Sequence, residues 1–164
     1  MLHHKFVKLA TTLLKTKTLH QALHIASAKI KDLIKVDRVT IFIYSKKNNV
    51  LWTYLADGIE TFSIPANKGI VGYVVKNKIL KVVNDTNKEP LFYKEIDKMS
   101  GYKTKNILTL PLSDIDNNII GVVQLLNKKN GFNETDIKIA KEFVDCITPP
   151  FEILISEHKY SDFI

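Results

Sequence analysis

The chain has 164 residues, one domain's length, and its 45% apolar and 25% charged residues are ordinary globular values that allow a substantial buried core. Its longest apolar run, 119–126, is far too short to cross a bilayer, the start lacks the apolar stretch and cleavage site of a signal peptide, and a single cysteine, Cys146, excludes an internal disulfide; a soluble cytoplasmic protein without membrane contact is expected. The formal charge of +7 invites a nucleic-acid partner, yet among 24 basic residues there is one arginine, Arg38, and the lysines are scattered without interleaved aromatics, so none is expected.

The first element is a short helix over 2–15. Thr18 and Gln21 then have capping-box spacing, placed to satisfy two orphan amides at the start of a second helix. Along it Leu19, Ala22, Leu23, Ala26, Ile30, Leu33 and Ile34 recur at three- and four-residue steps and form one apolar face. Residues 38–44 and 50–56, rich in β-branched and aromatic side chains, read as a hairpin across the polar turn 45–49. A short strand over 61–64 is stopped by Pro65, a short helix follows over 69–76, and 79–84 is another strand. Residues 90–101 read as a helix, with Pro90 near its start and Gly101 at its end. Two strands, 106–112 and 119–126, close a second hairpin over an Asp- and Asn-rich turn, and a last helix starts near Glu134. Pro149 and Pro150 are expected to break or kink it, leaving a second short helix beyond. The order implies an α+β domain, a central antiparallel sheet of about six strands flanked by helices, divided into a lead-in over 1–17, a domain over 18–148 and an exit segment over 149–164.

Catalytic motifs are absent: there is no Ser-His-Asp spacing, HExxH, GxGxxG or GxxxxGK[ST]. Cys146, mid-helix among Phe143, Val144 and Ile147, reads as a buried inert thiol. His20 and His24 have a metal-compatible i, i+4 spacing but no obvious third ligand, so no metal is expected. The stretch 127–136 has a plain structural reading in part: Asn133 caps the last helix, and Glu134 and Asp136 put negative charge at its positive end. Lys128, leaving a buried strand, is placed to pair with Asp136 beneath Phe132 and latch the strand end to the helix. Asp97, Ser100 and Thr104 put three hydrogen-bonding side chains within eight residues; they are either solvent-facing and capping groups or ligand contacts. The helix start near 91–93 offers free amides suited to a phosphate.

Three stretches, 67–77, 84–112 and 119–132, together resemble the GAF domains of cyclic-nucleotide phosphodiesterases and related cyclases, in near-continuous register from Gly69 to Asp136. The resemblance implies a regulatory sensor domain, not a catalyst. It assigns Asn127, Lys128, Phe132 and Asp136 to the family's signature, whose Lys–Asp ion pair is the latch; its fifth position, Glu in the family, is Ile137 here. It implies a ligand site for cAMP or cGMP at Thr40, Asp57, Ile70, Val71, Tyr93, Asp97, Ser100, Thr104 and Gln124, with Ala56 where a stacking aromatic often stands. The backbone at Ile70 and Val71 and the Tyr93 amide would meet the cyclic phosphate.

No resident cofactor is expected. The partners implied are a cyclic nucleotide, a second copy bound through the flanking helices, and a phosphodiesterase- or cyclase-like catalytic domain in the same, longer protein or in a partner. The alternative is a GAF dimerisation or interaction module without a nucleotide. Methionine-sulfoxide reduction or bilin attachment, known among GAF-like proteins, fits poorly with one cysteine in the last helix.

Overall fold

Thr18 begins the main helix as its spacing predicts: its backbone is extended and its hydroxyl accepts from the Gln21 amide at 3.1 Å. The reciprocal bond differs from the capping-box expectation, because Gln21 Oε1 accepts from Lys17 N at 3.3 Å. The computed structural model describes residues 2–54 and 61–161. In chain order the elements are α1 (Leu2–Leu14), α2 (Leu19–Ile34), β1 (Val36–Ser45), β2 (Val50–Tyr54), β3 (Thr61–Pro65), α3 (Gly69–Asn77), β4 (Lys81–Val83), a 3-10 turn (Thr86–Lys88), α4 (Glu95–Ser100), β5 (Ile107–Ser113), β6 (Ile119–Lys128) and α5 (Glu134–Ser161).

The strands form one antiparallel sheet in the order β3-β2-β1-β6-β5-β4. Strand alternation sorts its side chains onto two faces. Ile41, Ile43, Leu108, Leu110, Leu112, Val123 and Leu125 point to a face covered by α1, α2 and α5, where they join Phe6, Leu13, Ile30, Phe143, Ile147 and Phe151 in the main core. The opposite face is covered by α3 and the connection from β4 to β5. It holds two smaller clusters, Phe42, Leu51, Ile64, Val71 and Val122 in one, and Ile70, Val83 and Ile107 in the other.

Three expectations are corrected. α5 runs unbroken through Pro149 and Pro150, although each lacks the N–H that would bond the carbonyl four residues back. Ile147, Phe151, Leu154 and Ile155 hold both sides of that point in the main core, and the packing overrides the local cost. The helix expected over 90–101 forms only over Glu95–Ser100. Ahead of it, Leu91 N bonds Glu89 Oε1 and Phe92 N bonds Glu89 O, a turn that delivers Phe92 to the cluster of Ile70, Val83 and Ile107. Cys146 is half-buried: its thiol donates to Phe6 O at 2.8 Å, tying α5 to α1, and burial pushes its pKa up. No helix among the described residues is long and apolar enough to cross a membrane.

Candidate functional site

The second face of the sheet carries a polar band between its two apolar clusters. The register puts Thr40 of β1 opposite Gln124 of β6, and Gln124 opposite Thr109 of β5, so three polar side chains form one rung across the sheet. Phe42, Val122 and Pro111 form an apolar rung toward one end, and Leu126 and Ile107 lie toward the other, with Arg38 of β1 opposite Leu126. Thr109 is fully buried, and Gln124 Nε2 donates to its hydroxyl at 3.4 Å.

α3 stands over β5 and β6 and meets this rung at Gln124. Its first intrahelical bond runs from Gly72 N to Lys68 O at 3.0 Å, so the amides of Gly69, Ile70 and Val71 precede the helical ladder. Lys68 supplies no side-chain cap. Gly69 has φ +69°, and a Cβ there would sit 2.7 Å from Tyr93 Cβ; only glycine lets the 91–93 segment close on the helix start. Between α3, that segment and the sheet lies a cavity of about 60 Å³ lined by Ile70, Val71, Tyr93, Asp97, Thr104 and Gln124, among others. A second, open groove of about 810 Å³ lies beside it, sharing Asp97, Gln124 and Leu126 and adding Thr40, Arg38 and Tyr102.

Six of the nine expected ligand residues, Ile70, Val71, Tyr93, Asp97, Thr104 and Gln124, are therefore brought around one cavity, and Thr40 lines the adjoining groove. Asp57 and Ala56 lie outside the described residues; Ser100 ends α4, and its side chain lies outside them too. Tyr93 does not begin a helix: it precedes α4, and the helix-start amides facing the cavity are those of α3. Asp97 and Thr104 engage each other, Thr104 N donating to Asp97 Oδ2 and Thr104 Oγ1 to Oδ1, both at 2.7 Å.

Asn127, Lys128, Phe132 and Asp136 build the frame that holds the site's outer loop. Asn127 leaves β6 with φ +61°, a left-handed conformation that asparagine tolerates. Its Oδ1 accepts from the amides of Lys105 and Asn106 at 2.6 and 3.3 Å, and its Nδ2 donates to Tyr102 Oη and Lys103 O, both at 2.8 Å. One side chain thus fixes residues 102–106. Lys128 Nζ lies 2.5 Å from Asp136 Oδ1, with Lys128 19% and Asp136 7% exposed. Asp136 Oδ2 accepts from Asn133 N and Asn133 Oδ1 from Asp136 N, both at 2.9 Å, a reciprocal cap on α5. Phe132 is buried, and its amide donates to Asn84 Oδ1 at 2.8 Å. Gly131, at φ +78°, leaves room for that asparagine: a Cβ there would lie 2.7 Å from the same Oδ1.

Other contributors escape sequence reading. Thr109 had a signal, as the only Thr in a buried apolar strand, but Asn84 and Asn106 had none. Asn106 exchanges two bonds with Lys128, N to Oδ1 at 2.8 Å and Nδ2 to O at 2.9 Å. Tyr102 Oη donates to Asp37 Oδ2 at 2.5 Å, and its ring lies 3.7 Å from the Arg38 guanidinium carbon. Burial first, then the bond to Asp37 and its charge, push the Tyr102 pKa up to about 12, against opposing effects of Asn127 and Arg38. The ring of His20 packs edge-on against Tyr54 with centroids 5.4 Å apart.

The same fold occurs in the GAF domain of an Acinetobacter phosphoenolpyruvate-protein phosphotransferase (TM-score 0.77, 16% identity, 93% of this chain and 94% of that one covered). It occurs also in free methionine-R-sulfoxide reductase from Neisseria meningitidis, solved in complex with its substrate (TM-score 0.72, 17% identity, 94% and 91% covered). In sequence, the chain is 38% identical over 84 residues to the dual 3',5'-cyclic-AMP and -GMP phosphodiesterase 11A of Takifugu rubripes, a match covering 49% of this chain and 9% of that protein. It is 38% identical over 88 residues to the cGMP-specific 3',5'-cyclic phosphodiesterase of Drosophila melanogaster, covering 52% and 8%. The chain therefore matches less than a tenth of the length of these curated relatives. The family model described as GAF domain matches residues 18–147, most of the chain, and the protein belongs to the GAF domain family.

Proposed function

We propose that this domain is a regulatory sensor that binds a cyclic nucleotide, cAMP or cGMP, and controls a phosphodiesterase-type catalytic domain in the same longer protein or in a partner. The observation that carries this is one cavity that joins Gln124, the centre of the polar rung Thr40–Gln124–Thr109, to Lys68 and the helix-start residues Gly69, Ile70 and Val71. A cyclic nucleotide needs both parts, amides and positive charge for its phosphate and convergent polar groups for its base. The phosphodiesterase relatives support the choice of ligand.

The inner cavity, about 60 Å³, is well below the roughly 300 Å³ of a small-molecule pocket. Entry of the ligand therefore displaces the 91–104 segment outward and recruits the adjoining groove. Asp97 and Thr104, now bonded to each other, and Tyr93 and Ser100 on the same segment would re-form contacts around the nucleotide, with Asp57 completing the set. The frame at Asn127, Lys128, Phe132 and Asp136 anchors the far end of that segment, so its movement passes to α5 through the β6–α5 junction. A ligand shifts this equilibrium only by its differential affinity for the two positions. In this reading the domain is not an enzyme, is cytoplasmic and homodimeric, and acts on the catalytic domain to which it is joined.

Calorimetric titration with cAMP and cGMP tests it. Saturable binding of one of them is expected, weakened about ten-fold or more by Gln124→Leu, which removes one hydrogen-bonding group from the rung. A folded protein giving no heat with either nucleotide would overturn the reading. In that event the second reading, an interaction module without nucleotide, takes its place; exposed Val7 and Leu14 on α1 and Ile153 on α5 favour it, being 51%, 59% and 50% accessible.

A further inference from the structure

Arg38 is the single arginine of the chain. It stands two residues before Thr40 on β1, so strand alternation places it on the face that carries the polar rung. It sits opposite Leu126, one rung beyond Gln124, about 7 Å along the strand. It lines the 810 Å³ groove together with Thr40, Asp97 and Gln124.

The side chain is held by stacking. Its guanidinium carbon lies 3.7 Å from the centroid of the Tyr102 ring, a cation–π contact. Tyr102 is itself fixed from two sides, donating to Asp37 and accepting from Asn127 Nδ2 at 2.8 Å. Stacking uses only the flat face of a guanidinium. Its five N–H donors lie in the plane, and among the described residues none of them has a hydrogen-bond or ion-pair acceptor. The exposed Arg38 side chain, stacked on Tyr102, thus keeps its in-plane donors unused among the described residues while lining the groove that Thr40 and Gln124 also line.

We propose that Arg38 is a specificity-determining residue of the ligand site, receiving a ligand edge that carries two adjacent acceptor atoms. The assignment rests on the cyclic-nucleotide reading above and names which group of the ligand is read. A cyclic nucleotide offers such an edge in two places. One is the O6–N7 pair of guanine; adenine has a donor at the matching exocyclic position. The other is the pair of exocyclic phosphate oxygens, common to both nucleotides. Lysine, a point charge without the fork, does not replace arginine at either.

The single arginine makes the test direct, because selective ¹⁵N-arginine labelling of the full chain gives one side-chain Nε–Hε resonance. The experiment titrates cGMP and cAMP while following that resonance, and measures both affinities by calorimetry for wild type, Arg38→Lys, Arg38→Gln and Tyr102→Leu. The resonance is expected to move and saturate together with the calorimetric signal. Both Arg38 variants are expected to lose about ten-fold or more in affinity while melting within a few degrees of wild type. Tyr102→Leu, which keeps the fork but removes its platform, is expected to lose less in the same direction. A loss confined to cGMP assigns the fork to the guanine edge, and equal losses assign it to the phosphate. Saturable binding with an unmoved resonance and an unchanged Arg38→Gln affinity overturns the assignment and leaves the sensor reading standing. A folded wild-type chain that binds neither nucleotide overturns both.

Discussion

The two faces of the sheet are made from the same strands, often from adjacent residues, and are built to different rules. On the face under α1, α2 and α5, residues Ile41, Ile43, Leu108, Leu110, Val123 and Leu125 are all apolar and almost wholly buried. On the other, Thr40, Thr109 and Gln124 interrupt two apolar clusters at their centre. A polar side chain in such a place costs free energy unless it is bonded; Thr109 accepts from Gln124, and Gln124 and Thr40 stay only partly buried. The first face is explained by packing; the second is where the proposed ligand would find its polar partners.

Mutations that act on one face and spare the other sharpen this contrast. The largest expected effect is on the packed face. Phe143, fully buried and with its ring centroid 6.4 Å from that of Phe6, should cost about 3–5 kcal/mol of unfolding free energy when replaced by Ala, measured by urea denaturation. The nucleotide affinity proposed for the other face should be unchanged in the remaining folded protein. If affinity falls as well, the faces are coupled and the contrast fails.

Asp136→Ala comes next. It strands Lys128 in a mostly covered position and removes the reciprocal cap on α5. Losing one partner of a fully buried pair costs about 3–5 kcal/mol, and because Lys128 keeps some contact with water the expected loss is about 2–3 kcal/mol. Adding Lys128→Met should recover part of it. A double variant no better than the single one would mean that the cap, and not the uncompensated charge, dominates.

The smallest effect is a pH dependence at the groove. Tyr102 has its pKa pushed up to about 12 from an ordinary value of 10, so folding favours its protonated form. Its contribution is complete below pH 10, declines as pH rises from 10 to 12 and is lost above that. The stability of wild type relative to Tyr102→Phe should therefore fall across that window, followed by denaturation at a series of pH values. A constant difference would mean that neither burial nor the bond to Asp37 favours the protonated phenol in the folded chain.

Much of this arrangement is legible in the sequence, and what was missed has common causes. The helix face of α2, both hairpins and the start of α5 follow from periodicity and turn chemistry, which act within a few residues. The 127–136 stretch could be read as a strand-to-helix junction because its partners lie eight residues apart or fewer. The helix expected over 90–101 was cut short because Phe92 is drawn into a cluster supplied by α3, β4 and β5, which local spacing does not reveal. The same holds at Pro149 and Pro150: local chemistry argues for a break, and burial of Ile147, Phe151 and Leu154 keeps the helix whole.

The sequence by itself determined the α+β class, the element order and the identity of the family signature, because each depends on periodicity or on residues close together in the chain. Only the tertiary structure decided that Asp97 and Thr104 bond each other, that Asn127 fixes a loop more than twenty residues earlier, and that Arg38 stacks on Tyr102 beside Thr40 and Gln124. These contacts join residues from separate strands and loops. Their geometry is fixed by strand register and by how the sheet is covered, and both are properties of the folded chain as a whole.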